Sequence, residues 1–438
     1  MTRGAGMTAR QSIFYLASLL SALLAMKTKE NAFTLPVMVA LYEFMFFRGP
    51  VRKRTLGLLP FFLTMLIVPF SLGVNAQEAV GSVTGGPSGR VYLFTELRVI
   101  VTYMRLLLLP INQNIYYDYP VYHSFLRPEV AVSAVFILAQ IALALYLVLK
   151  SGKAPALRLV GFGILWFFIA LSVESGIVPL PMVINEYRVY LPSAGVFIAV
   201  SAGAGLLPWR KTAVVVLCLI TLIFSGAAYK RNSLWGSRVS LWEDTVRKSP
   251  GKTPARNNLG LAYQAEGKTD KAIEQFQAVL KIEPDPPAHN NLGNIYSAGG
   301  RIDDAIGHYT EALRLKPDYA EARMNLGLAY KAKGLTDKAI EQLGAALREM
   351  PDAQAHNELG IAYAEKGAGD RAEEHFRAAL GLRPDFAKAR YNLGLLYLKR
   401  GDVLRARQEL KEALEIEPDY PNAKNLLAET YKFSRDIP

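Results

Sequence analysis

The sequence predicts an all-α protein in two parts, a polytopic helical membrane domain followed by a solenoid of helical hairpins. Three observations predict it. A Leu-Gly pair recurs at spacings of 33, 34, 33 and 34 residues through the last two-fifths of the chain, at Leu259-Gly260, Leu292-Gly293, Leu326-Gly327, Leu359-Gly360 and Leu393-Gly394. The first half is instead a series of apolar stretches, each near the roughly 20 residues that cross a bilayer. Charge is also unevenly divided: 24 Lys and Arg against 10 Asp and Glu through Lys252, and 26 against 28 after it.

The repeat can be followed residue by residue. An aromatic follows each pair on the same helix face (Tyr263, Tyr296, Tyr330, Tyr363, Tyr397), then a turn glycine (Gly267, Gly300, Gly334, Gly367, Gly401). A second helix carries a small residue at Ala272, Ala305, Ala339, Ala372 or Ala406, which lets its partner approach, and a proline ends it at Pro284, Pro317, Pro351, Pro384 or Pro418. This is the period and punctuation of tetratricopeptide repeats. Five copies are expected over 253–421, and the segment 422–438 reads as a capping helix and tail, because no second helix follows Leu427, Ala428 and Tyr431.

The candidate spans in residues 1–230 are Gln11 to Met26, Ala32 to Phe47, Leu56 to Val74, Val91 to Leu109, Val130 to Leu149, Leu157 to Val173, Val189 to Leu207 and Thr212 to Tyr229. A cleaved signal has one apolar core, so a series of them indicates a multispan domain. The basic clusters Arg48, Arg52, Lys53 and Arg54, then Lys150, Lys153 and Arg158, then Arg210 and Lys211 fall in short junctions, as cytoplasmic loops require. All three share a side only if Val91 to Leu109, which contains Glu96, Arg98 and Arg105, lies at the interface instead of crossing. Seven spans result, with the repeats and the segments Lys27 to Asn31, Asn75 to Glu129 and Glu174 to Arg188 outside. Lys230 and Arg231, just after the last span, oppose that orientation. Residues 231–252 read as a linker.

Other classes are less consistent with the composition. The single cysteine, Cys218, lies in an apolar span, so neither a disulfide framework nor a thiolate metal site is available. Loop topology accounts for the basic excess, and the repeats are slightly acidic, which argues against nucleic acid as a partner. Gly81 to Gly89 lacks the Lys-Ser/Thr ending of a phosphate-binding loop and reads as a flexible outer segment.

Three polar runs stand at span ends on the outer side: Lys27-Thr28-Lys29-Glu30, Asn114 to Pro120, and Asn185 to Ser193. Ionisable groups at a bilayer are expensive to place, so they are functional candidates. Lys29 and Arg188, with Tyr119, could hold a lipid phosphate. Glu30, Asp118 or Glu186 could take a proton, a sugar hydroxyl or a divalent cation. The same charges could instead anchor span ends at the headgroups or pair with one another.

The Lys-Glu opening before Ala32-Phe33-Thr34-Leu35-Pro36, the run Tyr116 to Pro120 after an interfacial helix, and Glu186-Tyr187-Arg188-Val189-Tyr190-Leu191-Pro192-Ser193 together resemble the transmembrane-and-TPR family, which is similar to integral-membrane glycosyltransferases of the GT-C type. The resemblance implies transfer of a sugar from a polyprenyl-phosphate donor to protein hydroxyls, with the repeats presenting the acceptor on the outer side of a membrane, here a bacterial inner membrane with a periplasmic repeat array. One departure stands out. Such enzymes usually place a catalytic Asp in their first outward loop, whereas Lys27 to Asn31 aligns better with a late junction and Met1 to Arg10 holds no carboxylate. The chain therefore resembles the family from partway through its membrane domain, and Glu30, Asp118 and Glu186 remain as candidate catalytic carboxylates.

Asn258, Asn291, Asn325 and Asn392 precede the Leu-Gly pair in four repeats, and Glu358 takes that place in the other. An amide ladder can bind the backbone of an extended peptide or satisfy its own stack. Similar ladders in soluble O-GlcNAc transferases imply the first. His289 and His356 share one repeat position and His308 and His375 another, in alternate repeats, so no metal site is expected. Two functions remain open: a lipid-linked-sugar-dependent protein glycosyltransferase, and a non-catalytic membrane-anchored scaffold with protein or peptide partners.

Overall fold

The computed structural model describes residues 9–28, 30–67, 88–152, 154–172, 175 and 184–433. Most of these are helical, with no strand among them, and the chain divides into two compact units, Met1–Lys252 and Thr253–Pro438.

The first unit contains α1 (Ala9–Thr28), α2 (Leu35–Phe46), α3 (Val51–Thr64), α4 (Gly89–Leu108), α5 (Pro128–Lys150), α6 (Pro155–Leu171), α7 (Tyr190–Ala204), α8 (Arg210–Asn232) and α9 (Arg238–Lys248). Seven spans are expected from the sequence. By length and composition, two helices among the described residues suffice to cross a membrane, Pro128–Lys150 and Arg210–Gly236, while Ile13–Ala25, Ala32–Phe46 and Pro155–Leu171 are apolar but shorter. The junctions cut the apolar runs. The 3₁₀ turn Glu30–Thr34 and the Gly49-Pro50 break leave α2 only 12 residues long, about 18 Å at the helical rise against a hydrocarbon core of about 30 Å. The two long helices expose much of their apolar surface, with Val135, Leu138, Leu222 and Ile223 each about two-thirds accessible.

Small residues set the tightest packing. A methyl group built on Gly163 of α6 would come 2.3 Å from the Gly195 carbonyl of α7, and the reverse holds for Gly195 against Gly163. Backbones approach this closely only without a side chain between them, a device common in helices packed without water. At one end of the unit, Arg54 pairs with Glu43 at 3.0 Å, and Arg158 donates to the Met45 carbonyl at 3.1 Å, so two of the basic junctions meet. Toward the far end of α6, Phe167 and Leu171 pack with Val99, Tyr103 and Leu106 of α4 and with Ile184 and Val189. The α4 residues buried here, with Tyr92, Thr95 and Glu96, form a single stripe at helical spacing. Residues 231–252 are more than a linker: they hold the end of α8, a short turn and all of α9, anchored by Arg231 to Asp244 at 2.8 Å.

The second unit is a run of helical hairpins: α10 (Thr253–Ala265) with α11 (Thr269–Ile282), α12 (Pro286–Ala298) with α13 (Ile302–Leu315), α14 (Ala320–Ala332) with α15 (Thr336–Glu349), α16 (Ala353–Glu365) with α17 (Gly369–Leu382), and α18 (Ala387–Lys399) with α19 (Val403–Ile416). A last helix, α20 (Pro421–Phe433), lays Ala423 and Leu426 against Leu410 and Ala413. Each Leu-Gly glycine faces a large residue of its partner helix: Phe276, Tyr309, Leu343, Phe376 or Leu410. The turn glycines have φ between 72° and 82°, where a side chain is strained. Asp285 and Asp352 cap α12 and α16 by accepting from Ala288 and Ala355 backbone N–H groups at 2.7 Å.

Candidate functional site

In the first unit a pocket of about 520 Å³ opens between α4, the segment 112–122 and the end of α9. Arg98 and Arg105, two turns apart on α4, and Lys248 supply three cations. Tyr117, Tyr119, Tyr122, Thr102, Asn114 and Ser249 supply neutral polar groups, and Asp118 is the pocket's carboxylate. Local bonds hold this wall in place. Ser249 Oγ accepts from Asn114 Nδ2 at 2.8 Å and from the Asp118 N–H at 3.0 Å, and Lys248 donates to the Gln113 carbonyl at 2.8 Å. Tyr116 stacks on Trp242 at 5.8 Å. Behind Lys248, burial pushes the Asp244 carboxyl up, but Lys248, Arg247 and Arg231 outweigh it and hold the group below its ordinary value, so it stays ionised.

The polar run Asn185 to Ser193 closes the same wall. Glu186 Oε1 accepts from the Asn114 N–H at 2.6 Å and from the Tyr117 hydroxyl. Burial, reinforced by that carboxylate, raises the Tyr117 phenol far above its ordinary pKa. Tyr119 is raised too, chiefly by burial, and shares a 2.8 Å hydrogen bond with Thr102. Tyr103 brackets Asn185, accepting from its N–H at 2.8 Å and donating to its carbonyl at 3.0 Å. Arg188 points inward: it is buried, its guanidinium lies 3.9 Å from the buried Glu96 carboxylate, and Tyr92 bonds to both.

The structure therefore gathers Asp118 and Tyr119 at the pocket, sets Glu186 in its supporting wall, and holds Arg188 one layer deeper. Lys29 lies outside the described residues, as do the side chain of Glu30 and Gly81 to Pro87 of the glycine-rich run. A second, apolar cavity of about 570 Å³ is lined by Phe33, Thr34, Val37, Ile141, Leu165, Phe168, Ile169 and Ser172.

In the second unit the amide ladder is partly engaged within the stack. Asn325 donates to Asn290 and Asn294 of the preceding hairpin, both at 3.0 Å, and Asn392 donates to Asn357 at 2.8 Å. Asn258 and Asn291 are half-buried on α10 and α12, and Leu261, three residues along the same face from Asn258, is exposed. Glu358, the acidic member, is buried between Lys331 and Lys388. Burial raises its carboxyl, and the two ammonium groups bring it below its ordinary value.

Models of the tetratricopeptide repeat family match residues 254–286, 293–334, 325–385 and 363–430. The carboxy-terminal unit is a tetratricopeptide-repeat array. Among curated proteins, the chain is similar to Protein O-mannosyl-transferase Tmtc3 of Drosophila melanogaster, 28% identical over 113 residues, and to Protein O-mannosyl-transferase TMTC1 of Homo sapiens, 30% identical over 108. The matched stretches cover 24% and 23% of this chain and 12% of each relative. Among solved structures it is similar to YrrB, a TPR protein with an unusual peptide-binding site, at 21% identity over 42% of this chain and 96% of that one, with a TM-score of 0.37. MamA matches at 30% identity over 38% of this chain and 92% of that one, with a TM-score of 0.35.

Sequence reasoning left out Lys248 and Ser249, which complete the pocket from the end of α9. It noticed Arg98 and Arg105 only as reasons for α4 not to cross. The available signal was the combination: two arginines seven residues apart on a helix followed at once by Asn-Gln-Asn and three tyrosines.

Proposed function

We propose that this chain is a membrane-anchored tetratricopeptide-repeat protein that recognises the phosphate of a polyprenyl-linked sugar in its front unit and holds an acceptor polypeptide on its repeats, as a protein O-glycosyltransferase requires. The observation that carries this reading is the grouping of Arg98, Arg105 and Lys248 around tyrosine and asparagine side chains in a preformed pocket. Two guanidinium forks and an ammonium suit a phosphate oxygen set. One carboxylate among three cations makes a poor cage for a divalent ion, so the donor set binds phosphate directly. The apolar cavity at Phe33, Val37 and Phe168 offers an isoprenoid tail a place out of water. Asp118 is the carboxylate that could accept the proton of an acceptor hydroxyl, because Glu186 is occupied by Asn114 and Tyr117.

The orientation of the first unit supports a membrane placement with the repeats outside. The polar run near Asn114, the turn at Glu186 and the segment at Ser249 bond to one another, so all three lie on one side of any membrane the helices cross. Arg54 and Arg158 gather toward the opposite side. Fusion of an outside-only reporter after Pro438 should be active, and one within 48–54 silent; the reverse result removes the reading.

For the pocket itself, Arg98→Ala with Arg105→Ala is expected to weaken capture of vesicles carrying a polyprenyl phosphate by at least about tenfold, with capture of neutral vesicles unchanged. Equal capture by both proteins discards the phosphate assignment. A scaffold without catalysis is the second reading, favoured by the engagement of Glu186 and Arg188 in the supporting wall. Sugar transfer that survives in neither Asp118→Asn nor the parent protein selects it.

A further inference from the structure

The polar pocket is a groove that runs along α4. Past the end of that helix the chain turns back at Asn112, whose φ of 58° is the left-handed conformation asparagine tolerates. The returning segment lies beside the helix: Tyr119 shares a 2.8 Å hydrogen bond with Thr102, and the Tyr122 N–H donates to Thr95 Oγ1 at 3.0 Å. Arg98, Thr102 and Arg105 stand at helical spacing and line the pocket, beside the buried stripe of Val99, Tyr103 and Leu106. Burial dominates both phenols of this wall. Among the charges that pull them back down, Arg105 acts on Tyr117 and Arg98 on Tyr119, so one arginine stands toward each end of the groove.

Three of the cations near this groove have carboxylate partners. Arg188 lies 3.9 Å from Glu96, Lys248 donates to Asp244 and to the Gln113 carbonyl, and Lys252 stands 3.8 Å from Asp118. Among the described residues neither Arg98 nor Arg105 forms an ion pair or a side-chain hydrogen bond. Glu186 does not answer them, because its Oε1 accepts from Asn114 and Tyr117. Two unmatched guanidinium groups in one cleft repel each other and favour a ligand with two negative charges. Spacing decides how those charges are arranged. Seven residues of helix set the two Cα atoms about 10.5 Å apart along the axis, and the ground between them is taken by Thr102 and the Tyr119 hydroxyl. A lone phosphate at one fork leaves the other unanswered, whereas two linked phosphates take one fork apiece.

We propose, resting on the phosphate reading of this pocket, that it binds a diphosphate diester, one phosphate at Arg98 and the other at Arg105, with the bridge between them passing Thr102 and Tyr119. The sugar donor is then linked to its carrier through two phosphates and not one. Such a diester carries one negative charge on each phosphate at neutral pH, which equals the unmatched charge of the two arginines. Its two substituents leave a groove of this shape at opposite ends, and the volume of about 520 Å³ lies within the roughly 300–1,000 Å³ of ligand clefts. A polyprenyl diphosphate sugar and a soluble nucleoside diphosphate sugar share this central group, and the reading of the whole pocket selects the first.

The test uses the full chain in phosphatidylcholine nanodiscs, with empty discs as the blank, titrated calorimetrically with farnesyl methyl phosphate and farnesyl methyl diphosphate. These probes differ only in carrying one phosphate or two. The diphosphate is expected to bind at least about tenfold more tightly. Arg98→Gln or Arg105→Gln alone should erase that difference, while the monophosphate still binds at the remaining fork. Equal binding of the two probes by the parent protein overturns the diphosphate proposal and leaves the phosphate reading standing, and that comparison does not depend on any variant folding. A preference that persists in both variants reports diffuse charge and overturns it too. Uridine diphosphate methyl ester is the lipid-free arm: binding as tight as that of the farnesyl diphosphate supports the two-phosphate site and removes the polyprenyl carrier. Binding of none of the three probes removes the phosphate reading and the proposal together.

Discussion

At Gly293 one hydrogen atom separates a packed repeat from a disrupted one. A methyl group there would lie 2.5 to 2.9 Å from three ring atoms of Tyr309, which is itself buried and donates to Asn294 at 2.7 Å. Gly293→Ala is expected to cost about 1–3 kcal/mol by overpacking, read as a lower urea midpoint. Gly307 faces open space in the interior of α13, so Gly307→Ala should raise the midpoint, by up to about 1 kcal/mol, because the helix no longer orders a glycine. The contrast is diagnostic, since both changes add the same methyl group. In the first unit, Tyr117→Phe removes the hydroxyl that Glu186 accepts from and should loosen residues 112–120 by about 1–2 kcal/mol. Amide exchange in that segment, faster by roughly tenfold, checks it, while exchange in α5 stays unchanged.

Helix pairs are where pH acts on the repeats. The imidazoles of α12 with α13 and of α16 with α17 have pKa values below the ordinary 6.5, so the unfolded chain binds more protons than the folded one just below that pH. Stability therefore falls as the pH drops from about 7 to 5, ahead of the range in which carboxylates titrate. Melting of the Thr253–Pro438 unit should show it, and His308→Phe with His375→Phe should flatten the dependence. Helices were also the level at which sequence and structure corresponded best. The repeats were legible because their signals are local: a glycine at positive φ, an alanine under a facing helix and a proline stop recur within 34 residues. The pocket was only half legible. Asn114 to Pro120 and Glu186 announced themselves as polar residues at apolar ends, but Ser249 meets Asn114 across 135 positions, and no periodicity marks such a meeting. The polar helix α9 looked like a connector because a short helix with one buried face resembles a solvated linker in composition. Arg188 looked available because nothing in its neighbourhood of the sequence revealed Glu96, which lies 92 residues earlier.

For the whole chain, division into two compact units predicts that they separate experimentally. The fragment Thr253–Pro438 should fold and remain in solution without detergent, whereas Met1–Lys252 should stay with the membrane pellet after alkaline carbonate washing; its recovery in the supernatant would remove the membrane assignment. The exposed apolar flanks of α5 and α8 make this expectation specific, since in water they would present an aggregating surface. The ion pair between Arg231 and Asp244 bears on how such a chain is made. Lys230 and Arg231 emerge from the ribosome as a retention signal that pulls the end of α8 toward the cytoplasm, and the answering carboxylate arrives 13 residues later. In the folded unit Asp244 collects Arg231, Arg247 and Lys248, which answers part of that charge without erasing it, since an acidic residue weighs little in orientation. Asp244→Asn should therefore leave orientation unchanged and loosen the joint between α8 and α9, read as faster amide exchange over 231–248, which makes this one carboxylate a clasp between neighbouring helices.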